Sequence, residues 1–162
     1  MPSENYLLAM YHRFERWPFG KRLFAWIFSR KAPYFGSIRP QVESLAPNRC
    51  VVLLKKRRAV QNHIGTVHVI AICNALEMAM GAAAEAGIPS HLRWIPKGMK
   101  VDYTAKASSD IRAIAEIGPE DWAPGDLPVK VRAERADGTV VVEGEILLYI
   151  SEKPPRPVSG GL

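Results

Sequence analysis

Apolar residues along the chain follow two periods. Between residues 66 and 86, Val69, Ile72, Cys73, Leu76, Met80 and Ala84 recur at steps of three and four, the spacing of one buried helical face. The opposite side is Ala with Ile70 and Ala71 rather than polar, and a helix apolar nearly all round is a buried one. The pattern predicts a helix roughly 30 Å long. Thr66 can cap its start, and Gly87 is a natural stop before Pro89. Asn74 and Glu77 interrupt the apolar positions three residues apart, so they share a face, with Gly81 one turn further on. A carboxylate in a buried helix is costly unless it is paired, hydrogen-bonded or protonated. Glu77 is therefore either half of a salt bridge or a functional group, and spacing does not choose between them.

The flanks are read against that helix. Residues 6–30 predict one or two short helices, with Leu7, Met10, Tyr11, Phe14 and Trp17 at helical spacing and Pro18 and Gly20 as the break. The second part holds Leu23, Phe24, Trp26, Ile27 and Phe28 between Lys21, Arg22, Arg30 and Lys31. It reads as a helix packed on the domain or on a partner subunit, the commoner fate of such segments. The other reading is a surface helix that touches a membrane or covers an acyl pocket. After a turn at 33–36, residues 37–43 predict an edge strand that tolerates Pro40. Residues 49–56 predict a strand, and the cluster Lys55, Lys56, Arg57, Arg58 follows. Beyond the helix come a turn at Pro96-Lys97-Gly98 and a half-buried strand at 101–107. Further alternating strands are expected at 111–117 and 127–133, and a last strand at 139–150. Asp137-Gly138 signals a two-residue hairpin, and residues 153–162, rich in Pro, Gly and Ser, a frayed tail. The order predicts an α+β fold: helices, two strands, one long helix, then about four antiparallel strands. One sheet covers only part of a helix, and a second copy of the chain is the economical cover for the rest.

Composition narrows the class. The 162 residues favour one domain, and 48% hydrophobic content suffices for a core. No run of 18 or more apolar residues points to a membrane span, and the first seventeen residues lack the layout of a signal peptide. Cys50 and Cys73 sit in apolar segments and read as buried thiols. Together these favour a cytoplasmic protein without stable membrane insertion. The net charge of +6 suits an anionic partner or simply solubility. No nucleic-acid motif accompanies it, so nucleic acid is not the expected partner.

Three blocks carry a resemblance: KAPYFGSIRP at 31–40, QNHIGTVH at 61–68 and WIPKGMKVDY at 94–103. With them the chain resembles the DUF4442 family, a bacterial branch of the hotdog-fold thioesterases. The central stretch is similar to the PaaI-like enzymes. Their motif places Asn, then Gly, then His-Gly-Gly at a helix start, with an acidic residue about two turns in. The matching positions are Asn62, Gly65, His68-Val69-Ile70 and Glu77. The chain departs from the motif at Val69-Ile70, where Gly-Gly would let a substrate carbonyl approach closely.

The resemblance implies a hotdog fold in which a curved antiparallel sheet wraps the long helix. It divides the chain into an N-terminal helical segment (1–35), a hotdog domain (36–152) and a tail (153–162). It implies a homodimer or dimer of dimers with each site shared between subunits. It also implies hydrolysis of an acyl thioester, on acyl-CoA or an acyl carrier protein. In that chemistry Val69 N–H, with His68 N–H nearby, would polarise the thioester carbonyl at the positive end of the helix. Glu77 would activate water or attack directly. Asn62 would orient water or the thioester with Asn74 as a possible second, and His63 could assist proton transfer. Gly65, Thr66 and His68 would shape the substrate side of the turn. Arg57, Arg58, Lys97 and Lys100 would pair with the phosphates of coenzyme A. No metal or separate cofactor is implied, since coenzyme A belongs to the substrate and His63 and His68 do not fit a ligand set. Plainer readings stay open: Asn62 as a loop cap, the histidines as structural, the cations as a solvated rim. A non-catalytic acyl or acyl-CoA binding protein on the same fold is the alternative function.

Overall fold

The computed structural model describes residues 5–154. Two helices, α1 (Tyr6–Glu15) and α2 (Gly20–Lys31), lead through a 3-10 turn (Pro33–Ile38) into strands β1 (Gln41–Ala46) and β2 (Arg49–Leu54). A short 3-10 turn (Arg58–Val60) precedes helix α3 (Val69–Gly87). Strands β3 (Leu92–Tyr103), β4 (Ile111–Glu116), β5 (Gly125–Arg135) and β6 (Val140–Glu152) complete the chain. All six strands form one antiparallel sheet in the order β1-β2-β4-β5-β6-β3. The sheet curls around α3, which packs chiefly on β2 and β4.

The periodicities explain the packing. Leu127, Val129, Val131 and Ala133 of β5 are buried, while Pro128 and Lys130 between them are exposed, the period-2 alternation of a sheet with one face on a core. Ile72, Leu76, Met80 and Ala84 of α3 are buried, and so are Ala75, Ala79, Ala82 and Ala83 around it. Small side chains all round let the sheet close on the helix axis. The helix is long and apolar enough to cross a membrane, but two-thirds of it is buried within this fold, as a core helix should be. Cys50 is buried and Cys73 half-buried. Burial pushes the Cys50 thiol up to about 12 and raises that of Cys73.

Several expectations are corrected. Helix α3 begins at Val69, not near Thr66, and its cap is His68, whose Nδ1 accepts from Ile70 N–H at 3.1 Å. Thr66 is drawn instead into the preceding loop. The Pro96-Lys97-Gly98 segment is no turn. It lies inside β3, where the register against β6 slips between Pro96 and Gly98, so a bulge absorbs the proline without ending the strand. Ala105 and Ala107 fall beyond that strand. The edge strand begins at Gln41, with Pro40 just before it, because the 3-10 turn runs on to Ile38. The β5–β6 hairpin has a three-residue loop. Gly138 N–H donates to Arg135 O, Arg135 N–H donates to Thr139 O, and only Gly138 takes the left-handed conformation (φ 84°). That is a type I turn closed by a left-handed glycine rather than the two-residue form. The expected tail, 153–162, lies outside the described residues beyond Pro154.

The N-terminal helices pack on the domain. Tyr11 and Phe24 are buried against each other edge to face at 5.2 Å, and Phe24, Phe28 and Phe35 continue as a stack at 6.3 Å steps. The α1–α2 corner depends on Gly20, which is buried against the Phe14 carbonyl so closely that a Cβ would overlap it. Gly20→Ala should destabilise the fold by about 1–3 kcal/mol, seen as a thermal melt lowered by roughly 3–10 °C. A melt equal to that of the native chain would show that the corner yields.

Candidate functional site

The loop before α3 is built on Asn62. Its Oδ1 accepts from Ile64 N–H (3.2 Å) and Thr66 N–H (3.1 Å), and its Nδ2 donates to Thr66 Oγ1 (2.8 Å). Its backbone N–H donates to Thr66 O, and Gly65, left-handed at φ 77°, donates its N–H back to Asn62 O. Asn62 thus folds the loop on itself, and its side-chain amide is occupied at both ends. The plainer reading of the sequence, Asn62 as a loop cap, matches these hydrogen bonds. Asn62→Ala should cost about 1–2 kcal/mol and lower the melt by roughly 2–8 °C. Asn62→Asp, which keeps the accepting oxygen, should recover part of that loss.

The loop delivers the chain to the start of α3. His68 N–H is taken by Val60 O at 2.8 Å, so it is not available as a second carbonyl donor. Val69 N–H, at the first helical position, has no acceptor among the described residues. It stands where the helix leaves its donors unmatched and its dipole is positive. A cleft of about 480 Å³ opens here, lined by Asn62, His63, Thr66, His68 and Val69 from the loop and helix, by Tyr103 at the end of β3, and by Lys106 beyond it. His63 and Tyr103 are exposed in it. Neither Tyr103 nor Lys106 stood out in the sequence, because both reach the loop only through the fold.

Glu77 is elsewhere. It lines a second cleft of about 570 Å³ with largely apolar walls: Leu7 and Met10 of α1, Ile27 and Phe28 of α2, Ala32 just after it, Phe35, Met80 and Trp94. The ion pairs among the described residues all lie away from it, so the salt-bridge reading of Glu77 is not what the structure displays. Lys31 and a second carboxylate, Glu85, also line the cleft, and Glu85 accepts from Trp94 Nε1 at 3.0 Å. Gly81, between the two carboxylates, leaves room for the Trp94 ring to lie over the helix. The two clefts share no residue. Eight residues separate Val69 from Glu77, about 12 Å along the helix. One subunit therefore cannot hold a carbonyl on Val69 N–H and present Glu77 to it.

Other candidates disperse. Asn74 is buried; its Nδ2 donates to Tyr34 O (3.1 Å) and Ser37 Oγ (3.3 Å), tying α3 to the 3-10 turn, while its Oδ1 has no partner among the described residues. Arg57 donates to Ser37 O at 3.1 Å. Lys97 is paired with Asp126 at 2.7 Å. Neither these two nor Arg58 and Lys100 line either cleft, so the expected phosphate cluster is not gathered within one subunit. The cations that do border the clefts are Lys31 and Lys106.

Comparison with known proteins completes the picture. A crystal structure from structural genomics, with no organism or activity in its description, is 43% identical to this chain. It superposes with a TM-score of 0.80 over 91% of this chain and 99% of the other. A thioesterase family protein from Silicibacter pomeroyi is 16% identical, with a TM-score of 0.67 over 84% of this chain and 100% of that one. A thioesterase from Haemophilus influenzae is 6% identical, with a TM-score of 0.66 over 76% and 86%. At such identities the last two speak for the fold, which is the hotdog fold. No protein of curated function matches significantly. The family pattern described as a domain of unknown function, DUF4442, matches residues 20–150, and the chain belongs to that family.

Proposed function

We propose that this protein hydrolyses an acyl thioester, with acyl-CoA as the substrate class, at sites assembled from two copies of the chain. The observation that carries the reading is the Glu77 cleft: a carboxylate without an ion-pair partner among the described residues, set in a wall suited to an acyl chain. That two proteins sharing the fold are described as thioesterases supports it. A second copy removes the 12 Å problem, because Glu77 of one copy can face a carbonyl held at the Val69 N–H of the other. Exposed surface supports such pairing. Strand β3 is an edge of the sheet, twelve residues long, and Ile95, Met99 and Tyr103 on it are exposed, as are Ile64 and Ile70 at the α3 start. A long edge strand with apolar side chains is a surface that proteins cover.

In this chemistry Glu77 takes a proton from water as the water oxygen attacks the thioester carbon. Negative charge on the carbonyl oxygen is met by Val69 N–H and the helix dipole. The C–S bond then breaks, and the proton passes from Glu77 to the departing thiolate, leaving a carboxylic acid and free thiol. One observation favours a second reading, a protein that binds acyl-CoA without turning it over. Val69 lines the helix-start cleft and Ile70 is half exposed beside it, where related enzymes carry glycines, and their side chains narrow the approach. Thiol release from a panel of aliphatic and aromatic acyl-CoAs decides between them. Release supports hydrolysis; saturable binding with none across the panel supports the binding protein.

A further inference from the structure

We propose that the outer face of α2 and the α1–α2 corner dock this protein on an anionic phospholipid bilayer. Leu23 and Trp26 lie on the side of α2 turned away from the core, and Phe19, which caps the helix, precedes them by four residues. Phe19, Leu23 and Trp26 are 76%, 40% and 56% exposed, and Trp17, 63% exposed, precedes them at the corner. The same helix buries Phe24 and Ala25 inward. A helix that only packs on its domain needs one apolar face; this one has two. Phe19 also carries a cost. Its φ is 64°, a left-handed conformation in which a bulky side chain crowds its own backbone. Its exposure provides no burial in return. A strained, exposed aromatic residue is explained by a contact outside the isolated fold.

Charge identifies the partner. From Arg13 to Arg39 there are seven Lys and Arg residues and one carboxylate, Glu15. The whole chain holds 22 basic and 16 acidic residues, which leaves fifteen of each outside this segment. The segment that contains α2 therefore carries a net +6, equal to the formal charge of the whole chain. Arg22 and Arg39 line a shallow depression of about 540 Å³ beside Phe19, Leu23 and Trp26. The buried Ser29 hydroxyl, which has no hydrogen-bond partner among the described residues, is part of its wall. The Arg30 guanidinium lies over the Trp26 ring at 4.8 Å. Apolar and indole side chains at the acyl boundary, with cations at the level of the phosphates, are what a peripheral amphipathic helix requires. A second copy of the chain would bring the same cations against each other. Ile27 and Phe28 of this helix wall the Glu77 cleft, so docking would set that cleft close to the bilayer. The docking itself does not rest on the hydrolysis reading.

The test is sedimentation of the full chain with vesicles of phosphatidylcholine alone and of phosphatidylcholine with about 30% phosphatidylglycerol. The protein should sediment with the anionic vesicles only, and raising salt to about 0.5 M should weaken binding roughly tenfold. Trp26→Ser and Phe19→Asn should each weaken it about tenfold. Phe19→Asn should melt no lower than the native chain, since Asn suits the left-handed backbone. Absence of binding to anionic vesicles, equal binding to both kinds, or variants that bind as well as the native chain would overturn the proposal. A lower mass of either variant in sedimentation velocity would overturn it too, by showing that this face joins copies of the chain.

Discussion

Replacing Glu77 with Ala should lower kcat for thiol release by about a hundredfold or more while leaving the fold intact. The carboxylate has no ion-pair partner among the described residues, so its removal strands no buried charge. The side chain is only half-buried, so truncation opens no closed cavity, and the melt should stay within about 0.5 kcal/mol of the native chain. Glu77→Gln separates charge from shape: the amide fills the same space and accepts hydrogen bonds, but it cannot take a proton from water. Equal losses in kcat and kcat/KM would place the carboxylate in the transition state. A rise in KM alone would place it in binding. Undiminished turnover by both variants would remove Glu77 from the mechanism and turn attention to His63, exposed in the other cleft.

Val69→Pro should have an effect of similar size, about 10²–10³ in kcat, by deleting one hydrogen. Proline is favoured at the first helical position, where its missing N–H satisfies nothing within the helix. His68 before it is extended (φ −66°, ψ 133°), the conformation a residue preceding proline adopts. Helix α3 should therefore persist, checked by circular dichroism, while the proposed carbonyl donor is lost. The two variants together test the shared site. Glu77→Ala and Val69→Pro, each inactive alone, should on unfolding and joint refolding recover about a quarter of native activity. Random pairing makes half the dimers mixed, and each mixed dimer holds one site with both groups intact. No recovery, in a mixture shown to contain mixed dimers, would mean that the two groups do not meet across copies.

Much of the fold was legible because its signals are local. Period-2 alternation marked β4 and β5, helical spacing marked α3, and Asp137-Gly138 marked a hairpin. The errors arose where a local signal met a competing partner. Thr66 is a good cap by residue type, but Asn62 holds both its N–H and its hydroxyl, and His68 caps instead. Pro96 and Gly98 look like a turn, but pairing with β6 carries the strand through them as a bulge. Asn62 was legible as a site residue only through resemblance; its hydrogen bonds show a loop organiser.

By itself the sequence determined the period of each element, the burial of α3 and the anomaly of a carboxylate within it. Each depends on residues within a turn or two of each other along the chain. Only the tertiary structure decided what surrounds that carboxylate: α1 and α2, some fifty residues or more upstream, supply much of the apolar wall, with Phe35 and Trp94 among the rest. It alone separated Glu77 from Val69 N–H, kept the four expected cations out of the lining of both clefts, and left Phe19, Leu23 and Trp26 facing outward. The reason is that a hydrophobic pattern says which side of an element is turned from water, but not which distant element covers it.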